Sequence, residues 1–560
     1  MNYTDSHTTR YTVADYLLDR LAELDVDTVF GVPGDFTLGF LDHVDERSDM
    51  RWVGTANELG AGYAADGYAR MRGFGVVSTT FGVGELSAVN AIAGSYAEFV
   101  PVLHIVGSPT EFVQSSGRPT HHSLGDGDFD HMVRMSAEVT VAQAVLTPDT
   151  AAAEIDRVLS EMIVTSRPGY LSLPADVAEA ICVRPSGSLA VRSMCTDPNA
   201  LRPFAAAARR LLDDHSPVVL ADIFVHRSGA QEALDRLIKV GGLQYSSLLW
   251  GRRVVDESAP GYLGIYVGEA SRPEVRRAVE NAPVLITAGV SFTDLVSGYF
   301  SQHLDANARI DLQPHTAVVA GEVFDRVEMH DALETLAELV VAAEPVGGQS
   351  MCAHRRIRDQ SKGGALTQEA LWHGVAAAVT SSDIVLAEQG TSFYGLASER
   401  LPHGAVFMGQ PLWASIGYTL PALLGAALAA PERRPVLLIG DGAAQMTAAE
   451  LGTVIRNAVP AVIVVVNNNG YTVERAIHGP TKRYNDIAQW VWTQLPYVLG
   501  GTSGLVTTEF VTTRAELDAA LARAAGNPDR LTLIEAVTAE LDVPPTLTAI
   551  ASAAVTANVG

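Results

Sequence analysis

Cysteine is scarce: Cys182, Cys195 and Cys352 are the only three in 560 residues. Thiols so few and scattered exclude a disulfide framework and a Cys-type zinc site. Basic residues are short as well, 39 against 64 acidic ones, for a formal charge of −25. Such a chain has no basic stripe with which to hold nucleic acid or an anionic membrane surface. Long apolar runs are missing too. The N-terminal stretch MNYTDSHTTRYTVADYLLDR has no secretion-signal core. The least polar run, LPALLGAALAAP at 420–431, stops short of the ~20 residues a bilayer demands. The expectation is a soluble, cytoplasmic protein. No Gly-Lys-Ser/Thr occurs, which removes a Walker A phosphate loop.

What is present is apolar and patterned. Charged residues make up 18% of the chain, below the usual ~25%, and hydrophobic ones 48%. Disorder is excluded as the main theme, and much apolar surface must be buried, some of it between subunits. At roughly 150 residues per domain, the length predicts three or four domains. Ten short β-branched runs, from VDTVFGVPG (26–34) to LTLIEAV (531–537), alternate with Ala/Leu-rich amphipathic stretches. Continuous apolar strands alternating with helices predict parallel sheets covered on both faces. Residues 183–199 and 344–364 lose the pattern and read as linkers. They leave three α/β blocks, about 1–185, 200–343 and 365–560. With the linkers shared out, three doubly wound parallel-sheet domains are expected over 1–190, 191–350 and 351–560.

VLLIGDG ends at Asp441, at a strand's carboxyl end, where open α/β sheets bind ligands. After a helix expected over about 447–458, the next apolar strand ends in Asn467 and Asn468. A right-handed βαβ crossover sets the two strand ends side by side. A carboxylate oxygen, an amide oxygen and the Gly470 carbonyl can then face one point. That hard-oxygen set suits Mg²⁺ or Ca²⁺ sharing its sphere with phosphate, to which Gly440 and Gly442 offer backbone N–H groups. A dinucleotide site reads less well. GVGELSA (82–88) follows a strand and opens a helix, but Ser87 stands where Gly or Ala is required. The next strand, VPVLHIVGS, also lacks the acidic residue. GVGELSA reads instead as a turn packed near a cofactor.

G-D-G, about two dozen residues and then N-N resembles the thiamine-diphosphate-binding motif. The resemblance implies Asp441, Asn468 and the Gly470 carbonyl as ligands of a Mg²⁺ bridging the diphosphate of thiamine diphosphate. It places Gly390, Thr391, Ser392, Gly440, Gly442 and Ala443 along that cofactor. TANELGAGYAADGYAR (55–70) is similar to the family segment whose carboxylic acid protonates the aminopyrimidine ring. Here that acid is Glu58, expected just ahead of a Gly/Ala-rich helix, with burial raising its pKa; the resemblance also implies Thr80 as a cofactor-binding residue. GVPGD (31–35), HHSLGDGDFDHM (121–132) and YTVERAIHGP (471–480) supply Asp35, His121, His122 and Glu474. This set resembles that of the thiamine-dependent 2-oxo acid decarboxylases acting on pyruvate, indolepyruvate or branched-chain keto acids. AEQGTSFYG (387–395) and FMGQPLWASIGYTLPA (407–422) extend the likeness over almost the whole chain, most closely to the actinobacterial alpha-keto-acid decarboxylases.

The resemblance further implies that Ile416 props the cofactor in a bent form. Ala414 lends it a carbonyl from a position where the family usually has Gly, its methyl tightening the site. The implied reaction is non-oxidative decarboxylation of a 2-oxo acid to an aldehyde and CO₂, with the cofactor as electron sink. Glu474, Asp35 and His122 would handle the proton. Leu295, Gln389, Phe393, Tyr394, Val473, Ile477, Ile550 and Ala554 are the implied pocket. Its small Val473 and Ala554 favour bulky aliphatic, phenyl or indolyl substrates, each methylene counting for ~1–3 kcal/mol. Glu58 and Asp441 fall in different blocks, so the resemblance implies a homodimer or homotetramer with active sites at subunit interfaces. The middle block has no recognisable motif and is read as structural, reaching the site near Asp294 and Leu295. The same residues leave open a carboligase forming 2-hydroxy ketones. A catalytically silent partner of the same fold is the other alternative, one that loss of Glu58 or of a metal ligand would have marked.

Overall fold

Runs such as VLLI and VIVVV have no polar face to show water, so as strands they must be covered on both sides. The computed structural model, which describes residues 10–191, 194–213, 215–340 and 364–559, pairs them into three sheets. The first contains β1 (Thr28–Gly31), β2 (Arg51–Gly54), β3 (Gly75–Thr80), β4 (Val102–Ser108), β5 (Ala142–Val145) and β6 (Gly169–Pro174). Their order is β2-β1-β3-β4-β6-β5, all parallel.

The second contains β7 (Val218–Ala221), β8 (Gln244–Ser247), β9 (Tyr262–Ile265), β10 (Leu285–Ala288), β11 (Arg309–Gln313), β12 (Thr316–Val319) and β13 (Glu322–Asp325). In the order β13-β12-β11-β10-β7-β8-β9, the β11–β13 edge runs antiparallel, a departure from the all-parallel expectation. Ala320 and Gly321, both at positive φ (50° and 85°), form the two-residue turn that a tight hairpin between β12 and β13 requires. The third contains β14 (Asp383–Ala387), β15 (Val406–Met408), β16 (Arg434–Gly440), β17 (Val462–Asn467), β18 (Val506–Val511) and β19 (Leu531–Val537). It is wholly parallel, in the order β15-β14-β16-β17-β19-β18. Strand order reverses between β1 and β3 and again between β14 and β16. At such points successive loops leave in opposite directions and open a crevice at the carboxyl ends.

The chain divides into two compact units. The first sheet and its helices form one together with residues 420–431 and 449–457; the second and third sheets lie in the other. In the first unit, helix Glu58–Arg72 is Gly- and Ala-rich because another helix, Thr419–Ala429, lies against it. A Cβ on Gly67 would fall 2.2 Å from the Ala422 carbonyl oxygen, and one on Gly425 1.8 Å from that of Ala64. Any side chain at either place would force the helices apart, typically at about 1–3 kcal/mol. Arg72 Nε donates to the Ala429 carbonyl (2.9 Å) and closes the second helix's C-terminal end. In the other unit, one apolar core runs from Leu220 and Leu249 through Trp372 and Val385 to Val464 and Ile534.

Among its described residues the first linker has neither helix nor strand until Pro198 opens helix Pro198–Leu212. The second, with Cys352, lies outside the described residues apart from Gly364. No helix among the described residues is long and apolar enough to cross a membrane.

Candidate active site

Three glycines gather the functional groups of the first unit. Gly34, just ahead of Asp35, packs so tightly on Thr80 that a Cβ there would lie 2.5 Å from the Thr80 Cβ. At Gly82 (φ +67°) a Cβ would lie 1.9 Å from the His122 carbonyl oxygen, and at Gly84 3.3 Å from Glu58 Oε1. The turn 80–84 therefore touches Glu58 and His122 at once, with Asp35 alongside. GVGELSA is a packing turn, and the His122 carbonyl stands where a dinucleotide phosphate would have to approach. Glu85 fixes the turn by accepting from Gly82 N (2.7 Å) and the Tyr170 hydroxyl (2.8 Å). Burial pushes its carboxyl up to about 7.

His121 Nε2 lies 2.9 Å from Asp35 Oδ2, and Phe36 stacks on the His121 ring with centroids 4.9 Å apart. The His122 ring stands edge-on to both. Its backbone is left-handed (φ 67°), and its Nδ1 is buried without a partner among the described residues. Backbone strain beside an unsatisfied ring nitrogen is characteristic of a site that handles protons or ligand. Glu58 is the first residue of its helix rather than just ahead of it. Asn57 caps the helix, its Oδ1 accepting from Gly60 N (2.7 Å). In the single chain Glu58 is only half-buried, so the first unit alone does not supply the full burial expected of it. Thr80 Oγ1 is buried and unpartnered among the described residues.

In the second unit β16 and β17 are neighbours, and their carboxyl ends set Asp441 beside Asn468. One helix, Asp441–Met446, begins directly at Asp441, and another, Glu450–Arg456, follows a break, in place of the single helix expected over 447–458. The break falls at Thr447, which leaves the helix at φ −134° and donates its hydroxyl to the Gly417 carbonyl (2.7 Å). Asp441 is 1% exposed, with Gly442 N donating to Oδ1 (2.8 Å) and Gly470 N to Oδ2 (3.1 Å). Burial nevertheless pushes its carboxyl up to about 6.

The inner end of the Asn468 amide lies 2.9 Å from the Gly470 carbonyl oxygen and 3.2 Å from Asp441 Oδ1, and its outer end 3.1 Å from Thr472 Oγ1. Thr472 gives its one proton to the Glu540 carbonyl (2.8 Å), so towards Asn468 it can only accept. Turned one way the amide nitrogen donates to the Gly470 carbonyl and Asp441 Oδ1; turned the other, with its nitrogen outward on Thr472 Oγ1, three oxygens converge on one point. A cation relieves that contact. Three hard oxygens carrying one formal charge fit Mg²⁺ completed by phosphate oxygens and water.

Two further features fit a diphosphate. Gly440, beside the oxygen cluster, has open space where a Cβ would stand. After β14, Gly390 (φ 129°) turns the chain into helix Thr391–Leu396, where Ser392 Oγ is buried without a partner among the described residues. An orphaned hydroxyl costs about 1–3 kcal/mol, a cost that a phosphate oxygen would remove. Gly417 (φ +87°) packs on the turn at Ala443, where a Cβ would lie 3.1 Å from the Ala443 carbonyl oxygen. The loop of Ala414 and Ile416 is thereby seated on the helix that begins at Asp441. Ala414 itself has φ 55°. Its methyl therefore costs backbone strain, about 1–2 kcal/mol.

The apolar residues converge in the same unit. Buried Phe393 and Tyr394 lie on helix Thr391–Leu396, and Val473 and Ile477 on helix Thr472–His478. Both helices pack on helix Pro545–Val559, which carries buried Ile550 and Ala554. Leu295 joins Phe393, Tyr394, Val473 and Ile550 in one cluster. Gln389 Nε2 donates to the Tyr394 hydroxyl (2.9 Å), leaving its buried Oε1 unpartnered among the described residues. Burial, then Asp294 and Glu474, push up the pKa of the Tyr299 hydroxyl, which puts the middle-block loop within electrostatic reach of Glu474. Tyr299, at φ 58°, was not legible as a site residue.

Two buried carboxylates were missed as well. Glu388 accepts from Thr419 Oγ1 (2.6 Å), Thr419 N (3.2 Å) and Gln389 N (3.1 Å), and burial pushes it up to about 7. It ties the turn at Gly390 to the end of the loop holding Ala414. Glu450 accepts from Ala56 N (3.1 Å) and Asn57 N (3.3 Å), directly ahead of Glu58. The only sequence signal for either was a lone Glu beside small residues.

Known proteins carry the same organisation. The N-terminal TPP binding domain of thiamine pyrophosphate enzymes matches residues 11–132, their central domain 204–339 and their C-terminal TPP binding domain 394–536. The chain is 54% identical over 549 residues, 97% of each chain, to the alpha-keto-acid decarboxylase of Mycobacterium avium. The protein of that name from Mycolicibacterium paratuberculosis matches to the same extent, 54% over 549 residues and 97% of each chain. That of Mycobacterium tuberculosis H37Rv is 54% identical over 540 residues, 95% of each chain. Matched in all three of its domains and along nearly its full length, the chain belongs to the thiamine pyrophosphate enzyme family, alongside these mycobacterial proteins.

Proposed function

We propose that the protein uses thiamine diphosphate and Mg²⁺ to decarboxylate bulky aliphatic or aromatic 2-oxo acids to aldehydes and CO₂. The convergence of the Asp441 carboxylate, the Asn468 amide and the Gly470 carbonyl within 3.2 Å carries the reading, since with the amide oxygen turned inward they form a hard-oxygen set for a cation. The name borne by the mycobacterial relatives supports the reaction class. In this reading residues 1–190 hold the aminopyrimidine end, 351–560 the diphosphate and metal, and 191–350 form the middle domain.

When bound, the cofactor supplies the electron sink for the departing carboxylate. The chain's own part is to hold, orient and move protons. Glu58 would present its carboxyl to the aminopyrimidine ring, and Thr80 would contact the cofactor. Ser392 Oγ would donate to a phosphate oxygen of the bound cofactor, the Ala414 carbonyl would accept from its ring amine, and Ile416 would pack against it. His122, packed against the Gly82 turn, and Asp35, paired with His121, deliver with Glu474 the proton that releases the aldehyde. Glu474→Gln is expected to lower turnover by about 10²- to 10⁴-fold while cofactor retention stays at the wild-type level. Wild-type turnover in that variant would remove Glu474 from the chemistry.

Asp35, His121 and Glu474 are exposed in the single chain, which does not suit chemistry that must exclude water. That exposure supports a homodimer or homotetramer in which a second copy would cover the active site at the subunit interface, to be read by light scattering. The reaction is tested by aldehyde release, coupled to an alcohol dehydrogenase, from pyruvate, 3-methyl-2-oxobutanoate, 4-methyl-2-oxopentanoate, phenylpyruvate and indolepyruvate. Aldehyde from the larger acids and little from pyruvate is the expected result. No aldehyde from any of them, with cofactor bound, would overturn the decarboxylase reading in favour of carboligation.

A further inference from the structure

Arg475 follows Glu474 in sequence, yet its side chain is buried, 2% exposed, and turned away from solvent. Its Nη1 donates to the Asn468 carbonyl (3.2 Å) and its Nη2 to the Asn469 carbonyl (2.8 Å). Nη2 also reaches Asp486 Oδ1 (3.0 Å) and, at the edge of range, the Asn485 carbonyl (3.5 Å). The Asn485 carbonyl in turn accepts from Tyr471 N (3.0 Å). One planar fork therefore staples the turn after β17 to the segment 485–486.

The turn needs a staple. Asn469 (φ 59°) and Gly470 (φ 127°) are consecutive residues at positive φ, which leaves each peptide plane of the turn to be fixed by its hydrogen bonds. Three successive carbonyls, those of Asn468, Asn469 and Gly470, could each swing towards a cation. Arg475 engages the first two. The peptide plane between Asn469 and Gly470 is then held at both ends, its oxygen by Arg475 and its N–H by Asp441 Oδ2 (3.1 Å). The Gly470 carbonyl is left to face Asp441 and Asn468. A lysine, with one compact ammonium, could not span the same carbonyls.

We propose that Arg475 is a positioning residue for the metal: it selects the Gly470 carbonyl as ligand by holding the two carbonyls before it. This rests on the reading of Asp441, Asn468 and Gly470 as the Mg²⁺ site. The test is Mg²⁺ titration of the full-length, metal-stripped protein at fixed thiamine diphosphate, read as cofactor retained after gel filtration. Arg475→Gln and Arg475→Lys are expected to raise the Mg²⁺ concentration for half-loading by about 10- to 100-fold. Asp486→Asn, at an exposed position that leaves folding intact, is expected to raise it by about two- to fivefold. Thermal unfolding without metal identifies any Arg475 variant that has failed to fold, in which case Asp486→Asn carries the test alone. Half-loading within about 1.5-fold of wild type in the folded variants would overturn the proposal, provided Asp441→Asn fails to load. If Asp441→Asn loads like wild type, the underlying metal site falls and the role of Arg475 with it.

Discussion

Glu58→Gln is expected to lower turnover by about 10²- to 10⁴-fold, the usual worth of a positioned proton donor. The substitution keeps shape and length, and Asn57, not Glu58, caps the helix, so the fold has no reason to change. What disappears is a carboxyl that can exchange its proton with the aminopyrimidine ring. An amide in its place still donates a hydrogen bond but cannot transfer a proton. Thiamine diphosphate and Mg²⁺ should therefore still be retained, because in the proposed reading the diphosphate and metal are held by Asp441, Asn468 and Gly470 rather than by Glu58. The measurement pairs steady-state turnover at saturating cofactor with the amount of cofactor recovered from the protein. Turnover within about threefold of wild type would exclude Glu58 as the proton donor.

Asp441→Asn is expected to abolish cofactor retention altogether and take turnover to background. Both oxygens of Asp441 already accept from backbone N–H groups, which orient the carboxylate, and its charge is the only formal negative charge among the three facing oxygens. Replacement by a neutral amide removes that charge and introduces a donor that points at other oxygens. A pH dependence follows from the same carboxyl. Burial raises it to about 6 in the metal-free protein, so below that pH the proton occupies the atom that must ligate. Mg²⁺ binds the deprotonated form. The Mg²⁺ needed for half-loading should therefore be flat above about pH 6 and rise by about tenfold per unit below it. A pH-independent midpoint between pH 5 and 8 would show that Asp441 is not the ligand.

Which strands could be read from the sequence depended on where they lie in their sheets. In the first and third sheets β1, β3, β4 and β6, and β14, β16, β17 and β19, are interior and read as unbroken apolar runs. The strands that escaped there, β2, β5, β15 and β18, are the sheet edges. An edge strand keeps one side to solvent and so mixes polar residues in, as Arg51 does in β2 and Glu509 in β18. In the second sheet only β7 and β10 were legible: β8, β11 and β12 are interior as well, but β8 carries Gln244, Ser246 and Ser247, and β11 and β12 alternate buried with partly exposed residues.

The nearness of Asp441 and Asn468 was readable because they come from two adjacent strand ends in one crossover. Glu450 was not, because the helix start it supports at Ala56 and Asn57 is supplied by a distant part of the chain. The left-handed backbone of Ala414 was not legible, since a residue letter does not reveal it.

The glycine-lined contact between helix Glu58–Arg72 and helix Thr419–Ala429 also bears on the order in which the protein is made. The first helix leaves the ribosome roughly 350 residues before its partner, which at about 5–20 residues per second is on the order of 20–70 s. Through that interval a face shaped for another backbone is bare, with no side chains of its own to fill it. The N-terminal block therefore cannot finish folding during its own synthesis, and a fragment cut after it would keep that face unfilled.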